Sequence, residues 1–238
     1  MAMTDQIQAD AEAVPLGRIQ KLVAKKMLES WTSIPHVTHH DWADVDDLER
    51  DRIARNSGAA QRVSALSLYV KAVAATLQAF PRFNAVFVPA DGVLWQKRHC
   101  HIGIAISIKN GLVVGVVRDC EAKTAGQITV EIAAQAAKAR TSGLSFAEMA
   151  DGTFTVSSLG ASGGDGFTPI INAPQVAILG IGRMQDRPVR AADGAGVEWR
   201  RMLPLSLSYD HRVIGGADAA EFLTDLRKEL RSLPDTWA

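Results

Sequence analysis

Cysteine is scarce in this chain: two residues of 238, Cys100 and Cys120. That excludes a disulfide-stapled secreted scaffold. Without metal-ligand spacing, the pair reads as buried thiols of a reducing compartment. The sequence also lacks a signal peptide and any apolar run of about 18 residues, which makes the cytoplasm the expected location. Excess charge of either sign is missing too. Lys and Arg number 26, as do Asp and Glu, so no net field draws nucleic acid or a membrane surface, and neither is an expected partner. There are no internal repeats. The glycine-rich loop over 160–166 has neither the spacing of a dinucleotide fingerprint nor the Lys-Ser/Thr ending of a phosphate cradle.

What is present is an ordinary globular composition, 47% hydrophobic and 22% charged, in a chain long enough for one large domain or two small ones. Residues 1–13 lack hydrophobic periodicity and read as a disordered leader or the remnant of something removed. Ile19, Leu22, Val23, Lys26 and Met27 follow helical spacing up to a stop at Pro35. His36 to Trp42 alternates as a strand, with His36 and His40 on one face and His39 on the other. Two histidines on one face can hold a metal, but hydrogen-bonded strand residues are the commoner outcome. Asp44 to Arg55 reads as an acid-capped helix. Ser64 caps a longer one, in which Leu66, Val70, Val73 and Leu77 recur at helical intervals before Pro81.

Phe83 to Val88 and Val93 to Trp95 form a hairpin across Asp91-Gly92, and His101 to Ile108 and Leu112 to Val117 a second across Asn110-Gly111. In His99-Cys100-His101, alternation sets the thiol opposite both imidazoles, which argues against a shared metal. A helix over Thr124 to Arg140 turns Ile128, Ile132 and Ala136 inward, and a short one covers Phe146 to Ala150. Strands follow at Thr153 to Ser157, at Gln175 to Ile181 and at Val197 to Tyr209, the last interrupted at Pro204. A helix over Ala217 to Leu233 closes the chain. This irregular mixture argues for a two-layer α/β sandwich rather than a doubly wound sheet.

The densest chemistry lies where the last strand meets the last helix. His211 is flanked there by Asp210, Arg212 and the pair Gly215-Gly216. A turn at a strand end lets a rigid scaffold aim an imidazole whose unperturbed pKa, about 6.5, permits proton exchange near neutrality. An isolated histidine in such a loop more often caps the following helix, so other stretches must decide.

Six ordered stretches do so. They are Gly17-Arg18-Ile19-Gln20-Lys21, Ile34-Pro35-His36-Val37-Thr38, Asn110-Gly111-Leu112-Val113-Val114, Phe154 to Gly160, Phe167 to Pro174, and Leu205 to Arg212. Together they resemble the catalytic core of the dihydrolipoyl acyltransferase components of 2-oxo acid dehydrogenase complexes, nearest to the pyruvate branch. The resemblance makes 14–238 an acyltransferase catalytic domain. It implies the chloramphenicol-acetyltransferase-like fold, a mixed sheet with helices in two layers, assembled as a homotrimer with active sites at subunit interfaces. It implies transfer of an acyl group, acetyl in the pyruvate branch, between the thiols of coenzyme A and dihydrolipoamide. His211 would be the general base and Ser157 the oxyanion donor from the neighbouring subunit. Coenzyme A enters as a substrate, the lipoyl group comes from a separate domain or protein, and no metal is required. Residues contacting coenzyme A are not assigned.

Departures from the family pattern bear on the site. Where the family carries Asp or Asn four residues after its histidine, this chain has Gly215. Arg18 is the candidate basic partner of that position, and without its acceptor it should have found another acid, reached water, or been left free to hold a substrate carboxylate. Asp210 and Gly215 join Arg18 as expected structural support of the site. Gly115 replaces a usual proline, and Ser107-Ile108-Lys109 replaces a usual Asp-Thr-Pro. The tail, residues 234–238, is unlike the aliphatic ending by which family members join trimers. These departures leave two other readings: a free-standing acyltransferase that passes an acyl group from coenzyme A or a carrier protein to an amine or hydroxyl, and a catalytically silent assembly core.

Overall fold

Pro35 and Pro81 end helices where the sequence places them, and Ser64 and Thr124 each begin one by accepting the backbone N–H groups of Ser67 and Gln127. A computed structural model describes residues 11–109, 111–160, 163–191 and 193–232. Asn110 of the second expected turn, part of the glycine-rich loop at 161–162, most of the expected leader and the tail at 234–238 fall outside them. In chain order the elements are α1 (Arg18–Ser33), β1 (His36–Asp44), α2 (Asp46–Asn56), α3 (Ala65–Ala79), β2 (Ala85–Val88), β3 (Val93–Gln96), β4 (Ile102–Ile108) and β5 (Gly111–Val117). They continue as α4 (Ala125–Thr141), α5 (Phe146–Met149), β6 (Phe154–Ser158), β7 (Ala177–Ile181), β8 (Gln185–Arg190), β9 (Val197–Asp210) and α6 (Gly216–Ser232).

Seven strands form one sheet in the order β1-β9-β7-β6-β4-β5, with β8 pairing only β9; β2 and β3 make a separate hairpin. The sheet is mixed, β4, β6 and β7 being parallel and the remaining pairs antiparallel. This is the expected two-layer arrangement. One departure concerns Pro204, which does not interrupt β9. Its carbonyl still accepts the Gly182 N–H at 3.0 Å. The N–H it lacks falls where β9 exchanges one neighbour for another, since pairing to β8 ends at Met202 and pairing to β7 begins at Leu205. A ladder bond is therefore not lost there.

A second departure is β8, which the sequence reading did not anticipate. Its residues are largely exposed and it carries Pro188. It therefore shows no buried alternation, and β9 alone supplies its backbone partners.

The side chains of β9 sort the two faces of the sheet. Leu203, Leu205, Leu207 and Tyr209 join the main core with Phe154 and Val156 of β6 and Leu179 of β7, under α3, α4 and α6. Phe222 of α6 is the centre of that core. Its ring stacks on Phe83 at 4.4 Å and meets Phe80 and Phe154 at 5.8 and 6.1 Å. The opposite face is crossed by the segment between β6 and β7, where Ile171 packs with Ile34 and Ile178 in a small second cluster. Both cysteines are buried, as expected. Burial pushes each thiol up to about 12, so neither is a nucleophile near neutral pH.

α1 stands apart from the core. Leu22, Leu28 and Trp31 are each more than half exposed, at 57, 64 and 55%, so a helix written with apolar periodicity leaves much of that surface uncovered within the chain. Replacing Phe222 by Ala removes the ring on which three others rest. We expect a loss of about 3–5 kcal/mol in urea unfolding with the oligomeric state unchanged at low denaturant; a loss below about 1 kcal/mol would show that the aromatic cluster does not hold the layers together.

Candidate active site

Ser157 lies on β6, where alternation turns Phe154 and Val156 to the core and Thr155 and Ser157 to the opposite face. Thr155 is buried and donates to Gln175 Oε1 at 2.6 Å. The hydroxyl of Ser157 has no hydrogen-bond partner among the described residues. Beside it, Gly180 leaves room for Phe167: a Cβ on Gly180 would come 2.8 Å from Phe167 Cζ. This is a position where only glycine admits the neighbour.

His211 follows the last residue of β9. Its backbone N–H donates to Pro35 O at 3.1 Å, which ties the turn to the end of α1 and the start of β1. The ring is exposed, 5.8 Å from that of Tyr209. The turn is braced from below by Asp210, 1% exposed. This carboxylate accepts the Arg212 backbone N–H at 3.0 Å and a two-pronged guanidinium bond, Nε to Oδ1 at 2.9 Å and Nη2 to Oδ2 at 2.6 Å. A buried carboxylate bonded in this way holds both flanks of His211 in one geometry.

Register measures the gap between the two candidates. Ser157 pairs with Gly180, and Gly180 with Ser206. Asp210 is four residues further along β9, about 13 Å at strand rise, and His211 is one residue beyond. Two strand spacings add about 10 Å across the sheet. Within one chain, then, Ser157 and His211 lie toward opposite ends of the sheet, far outside hydrogen-bond reach. Two surface cavities, of about 570 and 620 Å³, include neither residue.

Arg18, the other residue expected to support the site, is exposed at the first position of α1. Ser33, at the far end of that helix, is about 22 Å away, and it is this far end that approaches His211. The expected contact between Arg18 and position 215 is therefore not made within the chain. Instead Ile19, its neighbour, lies 3.9 Å from the Cβ position of Gly111 at the start of β5. Gly215 is not without a carboxylate. Its N–H donates to Asp218 Oδ2 at 3.1 Å, so the acid three residues on reaches back over the glycine.

His36 and His40 of β1 are hydrogen-bonded strand residues, the plainer of the two expectations. His36 bridges Ile34 O through Nδ1 at 2.8 Å and accepts the Ile171 N–H through Nε2 at 3.0 Å. His40 meets Ser206 Oγ through Nδ1 at 2.9 Å. Cys100 is in the core while the His99 and His101 rings stack at 6.1 Å outside it. A grouping the sequence reading missed gathers His99 with Asp119 and Glu121, whose ligand atoms lie within 4.8 Å of one another. Glu121 Oε1 is 2.9 Å from His99 Nδ1, and its other oxygen accepts the Cys100 N–H. The His99–Glu121 hydrogen bond and a 3.5 Å approach of the Asp119 carboxylate to His99 account for this cluster. The acids come from the far end of the β4–β5 hairpin, so only strand pairing could have revealed them.

The family model for the 2-oxoacid dehydrogenases acyltransferase catalytic domain matches residues 8–237. The dihydrolipoyllysine-residue acetyltransferase component of the pyruvate dehydrogenase complex of Pseudomonas aeruginosa is 42% identical over 94% of the chain, which spans 42% of that relative. The chain thus covers about two-fifths of that relative's length. Among solved structures, the cubic core of a pyruvate dehydrogenase multienzyme complex matches with a TM-score of 0.90 at 41% identity, covering 94% of this chain and 93% of that one. A dihydrolipoamide acetyltransferase of Azotobacter vinelandii, studied for the catalytic roles of a serine, a histidine and an asparagine, also matches at 0.90 and 41%, covering 95 and 93%. Chloramphenicol acetyltransferase, 16% identical with a TM-score of 0.54 over 87% of this chain and 94% of that one, shares the fold. The fold and the sequence agree: this chain is a member of the 2-oxoacid dehydrogenase acyltransferase catalytic-domain family.

Proposed function

We propose that the chain transfers an acetyl group between coenzyme A and the dihydrolipoamide thiol of a separate lipoyl domain or protein, at a site built by two subunits of a homotrimer. The observation that carries this reading is the separation of His211 from Ser157. Neither side chain has a hydrogen-bond partner among the described residues, and the sheet holds the two apart within one chain. A second copy that lays its His211 end against the Ser157 end of the first would complete the site. The uncovered apolar surface of α1 supports such an assembly, since about half of each large side chain there is still in water. Arg18 belongs to the same arrangement. Its helix begins at the Ser157 end of the sheet, so it would meet position 215 of a neighbour rather than its own.

The chemistry needs little more. A thiol of pKa about 8.5 is only a few per cent ionised at pH 7, so a base that removes its proton during attack is useful. His211 takes that proton as the sulfur bonds to the thioester carbonyl carbon. The carbonyl oxygen becomes an oxyanion and receives the Ser157 hydroxyl. As the tetrahedral centre collapses, the original carbon–sulfur bond breaks and His211 returns the proton to the departing thiolate. Atoms and charge balance, with no metal and no acyl-enzyme required. The relatives above 40% identity are dihydrolipoyllysine-residue and dihydrolipoamide acetyltransferases, which favours neither an amine or hydroxyl acceptor nor a silent core.

Three expectations follow from this site. His211→Ala should lower the rate of acetyl transfer to dihydrolipoamide at least a hundredfold, and Ser157→Ala should cost about 3–4 kcal/mol in kcat/KM. Near-wild-type transfer by either variant would sink its assigned role. Light scattering should give the mass of a trimer or a multiple of three, and an active monomer would contradict the shared site.

Gly215 provides a separate test. Its backbone is not left-handed and a Cβ there would sit 3.4 Å from Asp218 Oδ2. Gly215→Asn should gain a few tenths of a kcal/mol as a better residue ahead of α6, and Gly215→Asp less, because the new carboxylate faces Asp218. A larger gain for Asp than for Asn in thermal melts would refute that electrostatic reading.

A further inference from the structure

His40 is three strands away from Ser157, yet both belong to one transverse row. β1 pairs His40 with Ser206, β7 pairs Ser206 with Gly180, and β6 pairs Gly180 with Ser157. Partners across a sheet point to the same side, so all four positions share the open face. Gly180 has no side chain, and the Phe167 ring fills its place, with Cζ, Cε1 and Cε2 within 3.1 Å of where a Cβ would be. The ring is therefore the immediate neighbour of the Ser157 side chain. Phe167 is fixed at its other end: its N–H donates to Ser206 Oγ at 3.4 Å. Ser206 is 1% exposed, and its hydroxyl meets His40 Nδ1 at 2.9 Å.

The hydroxyl of Ser206 has one proton to give. If it goes to the Nδ1 lone pair of His40, the oxygen is left aimed to accept from Phe167. Remove His40 and the proton has no assigned acceptor, so the hydroxyl is free to turn and the long bond to Phe167 loses its direction. We infer that His40 is a positioning residue for the Ser157 half of the active site, acting through Ser206 to hold Phe167 against Gly180. The inference rests on the reading of Ser157 as the oxyanion donor. His40 itself touches neither substrate thiol in this account, and the glycine is part of the device, because any side chain at 180 would displace the ring.

The test uses the whole chain and two kinds of readout. In His40→Leu the acceptor is gone while the bulk remains, and in His40→Asn a side-chain oxygen stands near the place of Nδ1. For His40→Leu we expect kcat for acetyl transfer from acetyl-CoA to dihydrolipoamide to fall five- to tenfold, with KM for acetyl-CoA within twofold. His40→Asn should recover kcat to within about twofold of wild type. Ser206→Ala should reproduce the His40→Leu loss, and the double variant should lose no more than either single one, since both break the same chain of contacts. Hydrogen exchange followed by mass spectrometry supplies a readout independent of turnover: peptides covering 163–168 should exchange at least threefold faster in His40→Leu and at the wild-type rate in His40→Asn.

Unchanged exchange in His40→Leu would overturn the inference whatever the activity, and so would additive losses in the double variant. Faster exchange with an unchanged kcat would overturn the role at the active site. Faster exchange in His40→Leu beside a wild type that transfers no acetyl group would refute the proposed reaction, and with it the active-site role, while leaving the latch itself as measured.

Discussion

Alternation of side chains across one mixed sheet is the constraint on which this molecule depends. Along β9, Leu203, Leu205, Leu207 and Tyr209 are given to the helices. Ser206, Ser208 and Asp210 turn the other way and are nevertheless buried. A buried polar row must be paired, and here it is: Ser206 with His40, Ser208 with Thr38, Asp210 with Arg212. The same period of two therefore builds an apolar layer and a polar face from a single strand. A slip of one residue would exchange them and destroy both.

That register also governs the chemistry. β6 runs one way and β9 the other, so a residue at the end of β6 and a residue at the end of β9 reach opposite ends of the sheet. In the proposed site, the call for a second chain thus arises from strand direction rather than from any single contact. Exposure of α1 follows the same logic. Its C-terminal end is pinned by Ser30 to Ile171 and, through Pro35, to the His211 turn, while Leu22, Leu28 and Trp31 stay more than half exposed.

Much of this was legible in the residues. Helix ends were marked by Ser64, Thr124, Pro35 and Pro81, and the buried strands by uninterrupted apolar runs. The turn bearing His211 stood out because acids, an arginine and paired glycines crowd around it. Other features could not be read from periodicity. Pro204 marks a break in an ordinary strand, yet it sits where β9 changes partner and no ladder bond is missing. β8 has no buried alternation to betray it. The position of Arg18 relative to residue 215 depends on the length and direction of α1, which a motif does not carry. The row from His40 to Ser157 exists only through pairings between residues 23 to 166 apart in sequence. The nearby departure at Gly215 proved milder than composition suggested, because the Asp218 carboxylate already reaches the backbone there.

The central claim is that one active site takes His211 from one chain and Ser157 from another. Co-expression of differently tagged His211→Ala and Ser157→Ala chains, followed by purification through both tags, tests it directly. Each variant alone should be nearly inactive. After both purifications every cyclic trimer is mixed, and about one third of the sites pair an intact histidine with an intact serine, so acetyl transfer should return to roughly that fraction of wild type. Activity that stays at the level of the separate variants in verified mixed trimers would contradict the account, because it would require both residues to act within a single chain.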